Sequence, residues 1–178
     1  MKVFDGAYKV NGKHATYIKF LNAYQRRLDK ENAAKNAGIF ALAVDVYTVA
    51  PLIGVAYNRA VPVDTESSDS TTIFADAIIS RQETLDTVYR LVLLSEKSVE
   101  LTADEKIDRA FRDDENPEIL AKNLDLFHRY MRGGVEWLYE QVTEGATTQE
   151  DYLEQIVELV NQYSDDFELG GTVSLDLV

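Results

Sequence analysis

Leu120, Leu124, Phe127, Met131, Val135 and Leu138 recur at spacings of four, three, four, four and three. That period holds for about five helical turns, which places all six residues on one face of a helix. Asn116 stands directly before Pro117, with Glu115 and Glu118 beside them. This is the signature of a helix start, because proline suits the first turn and carboxylates suit its positive end. The element is the best-defined core helix in the chain.

Two consecutive glycines, Gly133 and Gly134, interrupt that helix. Each costs about 1 kcal/mol in an exposed helix interior, so something must compensate. The favoured reading is a close helix crossing over the glycines. A kink that presents Arg129 and Arg132 to an anion is one alternative, and a partner helix or second protomer approaching over the glycines is the other.

Shorter patterns surround it. Tyr17, Leu21, Tyr24 and Leu28 form an apolar stripe over 14–32. Residues 38–55 read as a helix lined by Ile39, Leu42, Val46, Val49 and Ile53, kinked or ended by Pro51, with buried strand as the alternative. The polar run at 56–72, with Pro62, reads as a loop with room for a short extended segment. Ser80 with Glu83, Thr102 with Glu105 and Thr147 with Glu150 have capping-box spacing. They introduce helices carrying Leu85, Val88, Tyr89 and Val92, then Ile107 and Phe111, then Leu153, Ile156, Val157 and Val160. A Gly-Gly step precedes alternating Val173, Leu175 and Leu177, which suits a strand able to pair with an extended N-terminus. The expectation is a mainly α, compact helical domain of about five to six helices over residues 1–178, with a small terminal β-hairpin or strand pair as an addition.

Charge is unevenly spread. The chain has 31 acidic and 18 basic residues, a formal net charge of −13. Residues 1–35 hold eight Lys/Arg against three acids, or +5, which leaves −18 for the remainder. Docking of the basic N-terminal helix onto the acidic body is the favoured consequence, ahead of pairing between copies or a small basic face for another molecule. An overall charge of this sign repels phosphate backbones over most of the surface.

The chain has no cysteine and two histidines, so thiol nucleophiles, disulfides and thiolate metal sites are excluded. His14 and His128 form no short-range ligand pair. Asp104, Glu105 and Asp108 lack an ExxH partner, and Asp113-Asp114-Glu115 lacks the alternation of a calcium loop. No nucleophile elbow, P-loop or dinucleotide fingerprint occurs. No catalytic residue, metal or cofactor is therefore expected. The N-terminal MKVFDGAYKVNGK has no long apolar stretch, and the run at 38–55 is broken by Asp45 and Pro51. Neither reads as a signal peptide or membrane span, so the expected location is cytoplasmic.

Two strings, IFALAVDVYTVAPLIGVAYNRAVPV and LDLFHRYMRGGVEWLYEQV, resemble small accessory proteins associated with bacterial DNA sulfur-modification and restriction systems. The matching positions are Phe40, Asp45, Ala50, Gly54, Arg59 and Pro62, then Phe127, Tyr130, Gly133, Gly134 and Leu138, within residues 39–163. Residues 1–35 depart from the family pattern, being basic where an acidic extension is expected. The resemblance implies a defence-associated interaction protein and supplies no reaction.

The leading reading is a nonenzymatic interaction module or accessory subunit, homo-oligomeric or bound to another protein. Candidate interaction residues are Arg26, Arg27, Arg59, Arg129, Arg132, Gly133, Gly134 and Trp137. A nucleic-acid-associated regulator or acidic DNA mimic is the alternative and needs convergent basic residues or phosphate-like spacing of acids. A third reading is a small hydrolase, which needs His128 and at least two acids in one concave pocket.

Overall fold

A computed structural model describes residues 3–28, Glu31 and 35–166. Within them lie eight α-helices and two short strands: β1 (Tyr8–Asn11), α1 (Lys13–Leu21), α2 (Ala23–Leu28), α3 (Ala43–Ala56), β2 (Ser70–Ile73), α4 (Ala75–Ser80), α5 (Gln82–Ser95), α6 (Ala103–Phe111), α7 (Pro117–Thr143) and α8 (Gln149–Asp166). The mainly helical expectation holds, but eight helices exceed the five to six read from the sequence. One extra helix comes from a break at Asn22; the other, α4, lies just before the helix read from the Ser80–Glu83 spacing. Asn22 adopts extended geometry and bridges to Phe40, which splits the expected 14–32 helix into α1 and α2. Ser80 does not cap α5; its hydroxyl donates to the Ala77 carbonyl at the end of α4.

The N-terminal segment is extended, and it finds a strand partner in the middle of the chain. β1 pairs antiparallel with β2, Tyr8 opposite Ile73 and Asn11 opposite Ser70. The extended segment inside the 56–72 stretch thus begins the pairing edge. The expected C-terminal strand at Val173–Leu177 lies outside the described residues.

Other local signals are realised. The Thr102 side chain accepts from Glu105 N while Glu105 Oε2 accepts from Thr102 N, closing a capping box on α6. Asn116 Oδ1 accepts from the Glu118 and Ile119 amides, with Pro117 in the first turn of α7. At α8 the box is made by Thr148 and Asp151, one position beyond the Thr147–Glu150 pair. Pro51 does not end α3. It lies buried inside the helix.

Helix α7, 27 residues and roughly 40 Å long, is the axis of the fold. Phe127, Met131 and Val135 are fully buried along it, and Leu120 and Leu138 nearly so. An edge-to-face aromatic cluster of Phe4, Tyr47, Tyr89 and Phe127 joins α7 to α3, α5 and the N-terminal segment, with ring centroids 5.3 to 6.3 Å apart. On α5, Leu85, Val88, Tyr89 and Val92 are all buried as their spacing predicts. On α3 the buried face is Tyr47, Ala50, Pro51 and Gly54 with Val44 and Val46, whereas the expected Leu42 and Val49 are exposed. Among its described residues helix α8 buries Tyr152 alone and leaves Val160 at the surface.

Candidate interaction surface on α3 and α7

The glycine step is where α3 crosses α7. A Cβ built on Gly134 would stand 1.8 Å from the Ala50 carbonyl oxygen, and one on Gly54 would stand 2.0 Å from that of Tyr130. A Cβ on Gly133 would meet the Arg59 carbonyl oxygen at 1.8 Å. The α3 and α7 backbones therefore touch through Gly54 and Gly134, and Gly133 admits the chain just beyond α3 at Arg59. Gly133 and Gly134 are buried by this crossing, in agreement with its favoured reading.

The crossing brings the chain after α3 across α7 as a strap. The Val61 amide donates to the Arg129 carbonyl, and Arg132 Nε donates to the Val61 carbonyl at 2.9 Å. Further on, Asp64 Oδ2 accepts from Lys13 N at 2.6 Å and so caps α1 from outside the helix. Gly12 permits this approach, with φ +73° and no room for a Cβ beside Asp64. Asp69 then accepts from the Thr16 hydroxyl at 2.8 Å and from Lys19 Nζ at 2.5 Å. Residues 57–69 are thus tied down at both ends and in the middle.

Beneath the strap lies a polar cluster that sequence reasoning missed, centred on Glu136. Its Oε1 accepts from Lys13 Nζ at 2.7 Å and from His14 Nε2 at 3.1 Å, and Arg59 Nη2 lies 3.3 Å from its Oε2. Arg59 also grips Glu140 with two hydrogen bonds of 2.5 and 2.8 Å. The Glu140 carboxyl is held below its usual value chiefly by this hydrogen bonding. His14 is fully buried, and burial pushes its imidazole below the ordinary histidine value. It is neutral with its proton on Nε2, which leaves a buried Nδ1 with no donor. One signal for the cluster was legible: Glu136 and Glu140 follow Gly133 by three and seven residues, which sets them on the glycine face of α7.

His128 lies beside β1. Its ring stacks on Tyr8 at 3.9 Å and 7°, and its Nε2 is 2.9 Å from the Tyr47 hydroxyl. Burial lowers its pKa to about 3, with the Arg132 charge a lesser cause. Its ring and its Nε2 meet tyrosines, and among the described residues no pair of convergent acids of the kind a hydrolase would need meets it. Among the described residues no group of three or more His, Asp or Glu is placed to hold a metal ion.

The remaining described candidates have separate surroundings. Arg59 is committed to two carboxylates. Arg132 is buried, with hydrogen bonds to the Val61 carbonyl and the Tyr8 hydroxyl. Arg27 and Arg129 are exposed on α2 and α7. The Arg26 side chain lies outside the described residues. Trp137 stacks on Tyr57 at 4.4 Å and 18°.

That stack forms one wall of a groove of 560 Å³ between α3, α7 and α8. Leu52, Ile53, Leu138 and Leu159 continue the lining, with Val49, Tyr57 and Val160 exposed along it. None of its twelve lining residues is charged. On a chain whose residues are 28% charged, a neutral stretch of this size is a distinct surface.

Together these features define an acidic helical protein braced on a glycine crossing, with one neutral apolar groove beside it. The family model described as DNA sulphur modification system-associated protein 4 matches residues 24–172, and the chain belongs to that family. No curated protein and no solved structure matches it. Among the described residues no helix is long and apolar enough to cross a membrane.

Proposed function

We propose that the protein is a nonenzymatic accessory subunit that binds a protein component of its DNA sulfur-modification system. The observation that carries this reading is the uncharged groove walled by Tyr57 and Trp137. A neutral, aromatic-lined groove suits an apolar segment of another protein, because aromatic anchors concentrate binding energy while charged groups would have to be desolvated. Membership of a system-associated family supplies the class of partner. The acidic surface suits a role away from DNA, since most of it repels phosphate.

The test is co-expression of the tagged protein with each component of the modification system, followed by affinity purification at moderate salt. The reading expects one component to co-purify in fixed stoichiometry, and Val49→Asp or Val160→Asp to abolish its recovery. Both residues are exposed, so neither change disturbs the core. Recovery of no component, or recovery indifferent to both changes, would count against the groove.

A further inference from the structure

A second cleft, of different chemistry, lies between α6 and the first half of α7. It has a volume of 520 Å³ and apolar walls from Val99, Leu101 and Ile119. Arg109 and Asn123 lie deeper. Arg109 Nη1 is 3.2 Å from Glu96 Oε2, and Glu96 is almost fully buried, so that cation is cancelled inside the protein. Arg109 Nε donates to Asn123 Oδ1 at 2.9 Å. Asn123 is 2% exposed, and its side chain also meets the buried Tyr89 hydroxyl, so it closes the floor of the cleft.

The mouth is acidic. Glu105, Asp108 and Asp113 line it against Lys122, with Arg112 paired to Asp108. The surrounding segment 103–118 carries seven acids (Asp104, Glu105, Asp108, Asp113, Asp114, Glu115, Glu118) and three bases (Lys106, Arg109, Arg112), a balance of −4. With Arg109 spent on Glu96, the field at the mouth is more negative still. Apolar walls and an anionic rim ask for an apolar side chain and a cation in one ligand. A peptide segment provides both when an apolar residue is flanked by lysine or arginine.

We infer that this cleft docks a Lys/Arg-bearing peptide segment of a protein partner through an apolar anchor. The inference rests on the accessory-subunit reading for the occupant being protein. It adds a site chemically distinct from the neutral groove. Asn123 and Gln141, one at each site, are 18 residues apart on α7, or roughly 27 Å along the helix axis. Two such surfaces on one rigid element let the protein bridge two segments.

The experiment is fluorescence anisotropy on the full-length protein with a short labelled peptide of alternating leucine and lysine. Peptides of alternating glycine and lysine, and of leucine and glutamate, serve as comparisons. The leucine–lysine peptide should bind, and the double change Asp108→Asn with Asp113→Asn should weaken it about tenfold. Removing two charges elsewhere, by Glu154→Gln with Glu158→Gln on α8, should change it less than about twofold. Leu101→Asp should abolish it; if that variant unfolds in a thermal melt, the asparagine double variant decides alone.

Equal weakening by both double variants would overturn the inference, as it would show diffuse attraction to an acidic surface. So would equal binding of the glycine–lysine peptide, or loss on Val160→Asp alone. A co-purifying component that survives the cleft changes, with no peptide binding, would overturn the cleft and leave the accessory reading standing.

Discussion

Two neutral histidines make the protein sensitive to mild acid. For His14 and His128 burial lowers the folded-state pKa below the ordinary value of 6.5, to about 3 for His128. Between the folded and unfolded values the unfolded chain binds more protons, so stability rises with pH there and falls on acidification. The expected loss from His128 is about 2 kcal/mol between pH 6.5 and pH 5, before most carboxylates titrate. Urea melts across that range check it, and His128→Gln should flatten the slope. At Glu136, replacement by alanine strands the buried His14 N–H while Lys13 turns to solvent and Arg59 keeps Glu140. A cost of about 1–3 kcal/mol is expected by thermal or urea unfolding, with Glu136→Gln closer to the parent. Neither histidine's surroundings were legible in the sequence. His14 and Glu136 are separated by 122 positions, and no local pattern encodes such a meeting.

At the scale of elements, the α3–α7 crossing is the most demanding contact. Gly134→Ala should cost about 3 kcal/mol, the upper end of overpacking penalties, because backbone carbonyl rather than a movable side chain stands in the way. Gly54→Ala should behave alike. Gly6→Ala, which meets nothing within 4 Å, should stay within about 0.5 kcal/mol of the parent in the same melts. The sequence disclosed half of this contact. Gly133-Gly134 inside a strong apolar period announces a close approach, and the period itself correctly names the core of α7. What approaches was obscured, because reading α3 by its large apolar residues rotates its face toward Leu42 and Val49. The real contact is made by Ala50 and Gly54, whose value lies in their smallness. The β1–β2 pair escaped for a related reason: strand partners are chosen by three-dimensional proximity, and polar Ser70, Thr71 and Thr72 give only a weak local signal.

For the whole molecule, the opposed charges of the two parts of the chain are resolved in part internally. Lys13 meets Glu136 and Lys19 meets Asp69, so the basic N-terminal region is partly neutralised by the acidic body. What remains outward is a negative surface with a neutral groove, and this accords with a family tied to DNA sulphur modification through association. The most direct measurement is light scattering coupled to size exclusion on the purified protein mixed with each purified component of that system. The account predicts a mass equal to a defined complex with one component, returning to the separate masses with Val160→Asp. Separate masses with every component would contradict it.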